Sequence, residues 1–473
     1  MTPKKWDVIV VGTGMGGGPV GLKLAQAGLS VLFLEKGLQP TLKGKFAEEF
    51  TGDSNNNLKK AGRLAEPIFD CTNINRKKIW PFIGSGVGGS SALYGMVLER
   101  FQEKDFSKWP ITYQQIETYY DQAEKLFGVF RADTFSHPNN KELSVYFQTQ
   151  GIGTYRLPLA HRVNLSCGQC QSFQCDQNCK NHSGNICIEE AVRKYKATLY
   201  TNCDVRKILR STDKEVTGVR ALMDDQELEF HANSVILAAG ALNTPLLLAD
   251  SGLGNESGLL GRNLMRHYVD LYAIKIDNHP EVNMTKELGI KISPEFTLQS
   301  FGRLPPAQVI ASQFIRDIPV LKFIKLLLKP VLHFVTRKRL VLATIIEDEP
   351  KYENRVWKEN GSICISYKID EKGNQKIAAS RKQVSHFIKK FGLLLIRSAE
   401  KNEMLAHVCG TAKMGVDPKT SVVGQDNKIH GFKNLYILDA SFFPTSGGIN
   451  PGLTIAANSL RVADNILKNI GKG

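Results

Sequence analysis

The sequence predicts an α/β protein. A Rossmann-like nucleotide-binding domain is interleaved with an α+β domain built on an antiparallel sheet. Three observations lead there. The β-branched run Val8-Ile9-Val10-Val11 enters Gly12-Thr13-Gly14-Met15-Gly16-Gly17, and helical periodicity follows from Val20 to Ala27. Two more buried-strand patterns, Ser234 to Gly240 and Asn434 to Asp439, return the chain to the same sheet. Finally, Ile363 to Ile369 alternates in the manner of a strand, which suits an antiparallel sheet.

Each element has a physical reason. Gly12 permits the tight turn, Gly14 lets the backbone approach a pyrophosphate, and Gly17 lets the helix pack on the strand. The helix N-terminus offers free N–H groups and a positive dipole end to phosphates. Ser30 to Leu34 reads as the second strand. Glu35 ends it, 23 residues beyond Gly12, where a carboxylate grips a ribose with free hydroxyls. A polar loop is expected at 53–60. A second glycine-rich segment, Gly84-Ser85-Gly86-Val87-Gly88-Gly89-Ser90-Ser91, reads either as a flexible closing loop or as backbone made small for a flat ring. Tyr113 to Leu126 reads as an amphipathic helix carrying Glu117, Asp121 and Glu124. Asp439 falls at the carboxyl end of a strand, where open α/β sheets bind ligands.

The 473 residues are too many for one ordinary core. Nucleotide-domain segments are expected at 1–60, 78–108, 190–266 and 405–473, with the second domain at 109–189 and 267–404. Hydrophobic content of 42% and charged content of 23% describe a folded globular chain. The start shows no signal-peptide pattern, so a cytoplasmic location is expected, with membrane association as the alternative. A net charge of +15 fits a lysine-rich solvated face or an anionic lipid surface. No nucleic-acid motif accompanies it, so nucleic acid is not expected as a partner.

Near the C-terminus stand Ala406-His407-Val408-Cys409-Gly410-Thr411 and Gly447-Gly448-Ile449-Asn450-Pro451-Gly452. A neutral imidazole suits a base at neutral pH, and an amide can orient an oxygen without titrating. These blocks join the glycine-rich N-terminus, Gly88-Gly89-Ser90-Ser91, Leu237-Ala238-Ala239-Gly240 and Gly258 to His267. Together they resemble the glucose–methanol–choline (GMC) oxidoreductases, which are FAD enzymes. Trp109-Pro110-Ile111-Thr112-Tyr113, Tyr119-Tyr120 and Ala123-Glu124 resemble the branch of sugar dehydrogenases and pyranose oxidases.

The resemblance implies an FAD-binding domain and a substrate domain whose antiparallel sheet covers the flavin. It implies oxidation of an alcohol or sugar CH–OH to a carbonyl, with the hydride passing to flavin N5. His407 is then the catalytic base and Asn450 its partner. Gly12, Gly14, Gly17, Glu35, Gly88, Ser91, Val205, Gly240, Asp439, Asn450 and Pro451 would bind FAD. His267 and His430 are read as structural or near the site. Tyr94 stands where many members carry an asparagine. Two alternatives stay open: a membrane-surface enzyme for a sterol or long-chain alcohol, and a flavin electron-relay subunit without its own substrate. The electron acceptor is unassigned.

Cys167, Cys170, Cys175 and Cys179 follow C-x2-C-x4-C-x3-C, with Cys187 beyond. The spacing resembles, without matching, an iron–sulfur run, and four thiolates equally suit zinc. Free thiols or disulfides are the remaining reading. Between Pro319 and Arg339 an apolar stretch carries Lys322, Lys325 and Lys329 and is divided by Pro330. It reads either as a helix buried on one face or as a peripheral contact with anionic lipid.

Overall fold

The computed structural model describes residues 4–43, 55–131, 135, 138–161, 174–275, 286–301, 339–403 and 405–472. Cys167, Cys170 and the stretch 319–338 lie outside them. The chain opens with β1 (Lys5–Val11), α1 (Gly17–Gln26) and β2 (Val31–Leu34). Val8–Val11 and all of β2 are buried, as the apolar runs require. β1 pairs in parallel with β2 and with the strand Gln226–Leu237. Leu435–Ile437 joins the far side of Gln226–Leu237, and Thr198–Tyr200 joins β2, both in parallel.

The strand Gln226–Leu237 does two jobs. Its second half lies in the parallel ladder, while its first half forms an antiparallel hairpin with Glu215–Met223. The turn residues Asp224 and Asp225 both have positive φ, 48° and 61°, in the manner of a type I′ hairpin turn. Cys203–Thr212 adds the edge strand.

A second, six-stranded sheet is antiparallel throughout. Its order is Leu394–Arg397, Leu271–Lys275, Arg339–Ile346, Phe296–Ser300, Leu288–Ser293, Gly153–Arg156. Two sequence expectations are corrected in detail. The alternating segment is a strand, Ser362–Ser366, but it belongs to a small four-stranded sheet. There it pairs antiparallel with Arg355–Glu359 and parallel with Ile68–Asp70. And Asn55–Lys60 is a short helix rather than a loop, because Leu58 is buried beneath its polar neighbours. The amphipathic helix spans Tyr113–Phe127 and buries Ile116, Tyr120, Ala123 and Phe127, one side of the 3.6-residue period.

An ion pair between a half-buried arginine and a buried carboxylate fixes the helix Glu371–Ile388 to the six-stranded sheet. Arg381 donates Nε and Nη2 to the two oxygens of Asp270, both at 2.8 Å. Asp270 is fully buried and also accepts from Ala399 N at 2.7 Å and Tyr272 Oη at 3.0 Å. Removing the guanidinium leaves a buried carboxylate with only neutral donors. Arg381→Met should therefore lower stability by about 3–5 kcal/mol, read as a shifted denaturant midpoint with an unchanged slope.

Candidate active site

Because the central strands are parallel, their carboxyl ends fall on one side. Val11 leads to Gly12, Leu34 to Glu35, Leu237 to Ala238, and Ile437 to Asp439. The Gly12–Gly17 turn is wedged between two of these ends. Gly12 has φ +98°, and a Cβ there would strike the carbonyl of Ala238. A Cβ on Gly16 would strike the carbonyl of Leu438, and one on Gly17 the carbonyl of Gly12. A Cβ on Gly14, in contrast, would meet nothing within 4 Å. α1 begins just beyond, with no side-chain cap and no acidic residue in its first turn. Open space over Gly14 beside an unneutralised helix N-terminus fits a pyrophosphate.

The second glycine-rich segment closes onto the first. Gly88 N donates to Thr13 Oγ1 at 3.0 Å, and a Cβ on Gly89 would press on Gly14 Cα. Ser91 donates to Gly88 O at 2.6 Å and accepts from Ser183 N at 3.1 Å. Ser183 Oγ in turn donates to the carbonyls of Thr13 and Gly14. Ser91 thus shapes the turn through its hydroxyl. Glu35 accepts from Thr13 N, Thr13 Oγ1 and Gly37 N at 3.1, 2.6 and 3.0 Å. Those bonds use three of about four acceptor directions of the carboxylate. Burial raises its pKa against those same bonds. Val205 sits on the edge strand that reaches Glu35 through Cys203 N to Glu35 O, 3.0 Å. Asp439 accepts from Gly240 N, Thr244 Oγ1, Ser441 N and Ser441 Oγ. Its side chain is a clamp on the strand ends, while a Cβ on Gly240 would meet open space. Pro451 precedes the C-terminal helix Gly452–Asn469, at whose first residue, Gly452, a Cβ would lie 3.1 Å from Leu98.

His407 is brought to its place by a short antiparallel bridge. Met265 and Cys409 exchange N–H···O bonds of 3.0 Å, and His267 N donates to Ala406 O at 3.1 Å. The two imidazoles then meet with Nδ1 2.8 Å from Nδ1 and rings 81° apart. His407 has φ 56°, a left-handed conformation uncommon outside glycine and frequent at functional sites. Burial, with His267 and Lys286 adding repulsion, holds its pKa well below the ordinary histidine value.

Asn450 is held differently. Its Nδ2 donates to Glu99 Oε2 at 3.1 Å and to Gln299 Oε1 at 3.2 Å. Gln299 Nε2 donates to Glu99 Oε2 at 2.6 Å, and Tyr155 Oη to Glu99 Oε1 at 2.8 Å. Burial raises the Glu99 pKa, opposed by these three donors and by the charge of Lys286. Lys286, itself buried, is pushed down to about 7 by burial and by Lys180. His407 and Asn450 are joined through His267, whose Nε2 lies 3.0 Å from Ser446 O and 2.5 Å from Gly447 O, on the loop that carries Asn450. Sequence reading missed Glu99, Gln299, Tyr155 and Lys286. The one available signal was Glu99, a lone carboxylate after the apolar run Met96-Val97-Leu98.

Other sequence-named residues have partners of their own. Tyr94 donates to Asn181 O at 2.5 Å, and His430 pairs with Ser421 at 2.8 Å. Cys179 N lies 3.3 Å from Cys175 Sγ. Among the described residues, no group of three or more His, Cys, Asp or Glu side chains is arranged to hold a metal.

Comparison with known proteins agrees with this geometry. The N-terminal profile of the GMC oxidoreductases matches residues 11–269 and the C-terminal profile residues 372–459. Paromamine 6'-oxidase of Streptomyces fradiae is 25% identical, covering 97% of this chain and 90% of its own. Cholesterol oxidase of Mycobacterium tuberculosis is 23% identical, covering 97% and 90%. Pyridoxine 4-oxidase from Mesorbium loti superposes with a TM-score of 0.65 at 18% identity, covering 98% and 99%. Formate oxidase of Aspergillus oryzae superposes with a TM-score of 0.72 at 16% identity, covering 99% of each chain. With profile matches over most of its length, this chain belongs to the GMC oxidoreductase family and is an FAD-dependent enzyme acting on the CH–OH groups of alcohols or sugars.

Proposed function

We propose that the substrate is a small polyol or sugar-like molecule, with His407 taking the proton of the reacting hydroxyl and Asn450 accepting a hydrogen bond from a second one. The observation that carries this reading is the Glu99 network. One oxygen of Glu99, Oε2, accepts from both Gln299 Nε2 and Asn450 Nδ2, so both amides turn their NH2 groups toward it. Gln299 then presents Oε1 to the second N–H of Asn450. Both amide hydrogens of Asn450 are spent, and Oδ1 is the atom it keeps for a ligand. An imidazole base and an amide oxygen are two acceptors, and one hydroxyl can supply only one proton. A molecule with neighbouring hydroxyls satisfies both.

The polar cluster of Glu99, Gln299 and Tyr155 behind Asn450 also suits a hydrated substrate better than a sterol or alkyl chain, whose burial would leave such groups without gain. The similarity to a paromamine oxidase favours the same class. A relay subunit without a substrate would have no use for a base held in this environment.

FAD, when bound, supplies the hydride acceptor. The chain's own part is positional and acid–base. Gly14 and the start of α1 would receive the phosphates and Glu35 the ribose end, with the 84–91 segment bonded to the same turn. His407, uncharged by burial, receives the hydroxyl proton as the C–H bond breaks. Holding donor and base in register gives the orientation that the rate requires.

His407→Ala should cut the rate of anaerobic flavin reduction by about 10²–10⁴-fold with FAD still bound; full activity would refute the assignment. Because the His407 pKa is lowered, its base form persists as pH falls through the ordinary histidine range. The reduction rate should therefore stay level across that range and drop only below it. A break near neutrality that disappears in Lys286→Met belongs to the lysine. Glu99→Gln puts an NH2 where an acceptor is needed and unlocks the Asn450 amide. It should lower kcat/KM for a vicinal diol by about 10–10²-fold and much less for a monohydric alcohol; equal losses would reject the second-hydroxyl role.

Two finer readings stay as proposals. The segment 319–339 is proposed to contact anionic lipid; unchanged liposome flotation after Lys322, Lys325 and Lys329 become Glu would reject it. No described helix is long and apolar enough to cross a membrane. A thiolate metal centre at Cys167, Cys170, Cys175 and Cys179 is proposed on spacing alone, and iron, sulfide and zinc analysis of anaerobically purified protein decides it.

A further inference from the structure

We infer that His267 is a positioning residue that fixes which nitrogen of His407 is the base. The inference rests on His407 being the base and goes beyond it. It begins with two carbonyls. Ser446 O and Gly447 O face His267 Nε2 at 3.0 and 2.5 Å. A carbonyl oxygen only accepts, so Nε2 must carry a hydrogen. In a neutral ring Nδ1 is then bare and accepts. Its partner is His407 Nδ1 at 2.8 Å, which must donate. His407 is thereby held as the Nδ1–H tautomer, and its bare nitrogen is Nε2.

The same bond serves the charged state. When Nε2 of His407 gains the substrate proton, its Nδ1–H···Nδ1 bond to His267 becomes charge-assisted, and such bonds are roughly twice as strong as neutral ones. His267 stays neutral throughout. It is fully buried, its pKa lowered mainly by that burial, while the Ser446 and Gly447 carbonyls and the charge of Asp348 act in the opposite sense. His407 faces His267, and the positive charge of Lys286 also disfavours its protonation. Arg266, next in sequence, directs Nη2 away, to Ala399 O at 2.8 Å.

A merely structural histidine would need its shape and its bond to the carbonyls. A tautomer-setting one needs an acceptor at the Nδ1 position. Asn places Oδ1 near that position; Phe places nothing. His267→Phe should lower the limiting rate of flavin reduction by about 10²-fold or more with FAD bound. The loss should fall on kcat with KM little changed, as for an interaction made in the transition state. His267→Asn should recover most of it, to within about tenfold of the native rate. Equal loss in both variants, or no loss in His267→Phe, overturns the inference.

The direct measurement uses the unmodified holoenzyme labelled with ¹⁵N-histidine. Long-range ¹H–¹⁵N correlation above neutral pH should show His407 protonated at Nδ1 and His267 protonated at Nε2, assigned through the single variants. His407 protonated at Nε2 would sink the proposal. That readout does not depend on turnover, so it separates failure here from failure of His407 as base, which His407→Ala alone decides.

Discussion

Backbone pressed against backbone at the carboxyl edge of the parallel sheet is the constraint on which the site depends. The turn after β1 has the carbonyl of Ala238 on one side and that of Leu438 on the other. Neither neighbour can retreat without breaking its strand. The turn therefore tolerates no side chain at Gly12 or Gly16, and its one open position, Gly14, faces the space where phosphates fit. Everything downstream is referred to this edge: Glu35 is bonded to Thr13, the 84–91 segment to Thr13, and Asp439 to Gly240.

From that edge the chemistry is assembled by a second kind of interaction, the buried acceptor that dictates the orientation of its neighbours. Glu99 does this for Asn450 through Gln299. The carbonyls of the 446–447 pair do it for the histidines. Both cases turn a group with two equivalent-looking ends into one with a defined donor side and acceptor side. Both cost desolvation, which good hydrogen bonding offsets. Removing a single acceptor would leave several buried donors to rearrange.

Much of the first layer was legible in the sequence. β1, α1 and β2 declare themselves by an apolar run, spaced glycines and a terminal acid, and the same holds for the strands before Gly240 and Asp439. His407 and Asn450 were legible through their motifs. The six-stranded sheet was not, because strands such as Arg339–Ile346 are buried on both faces and lack alternation. The alternating segment that was legible belongs to a smaller sheet. Glu99, Gln299 and Tyr155 were hidden for another reason: they come from residues 99, 155 and 299, and only tertiary structure makes them neighbours of residue 450.

The interleaving of the chain has a consequence for how the enzyme is made. The strand Leu435–Ile437 and the carbonyl of Leu438 complete a sheet whose first strands were synthesised more than four hundred residues earlier. Until the last segment arrives, the Gly12–Gly17 turn has only one of its two walls, and His267 lacks its carbonyl-bearing loop. Contacts of such sequence separation are slow to form and cannot be gained piecemeal. Cofactor capture is therefore a late event of biosynthesis, and a chain truncated anywhere before Leu435 would carry the nucleotide fingerprint intact and still lack the place to use it.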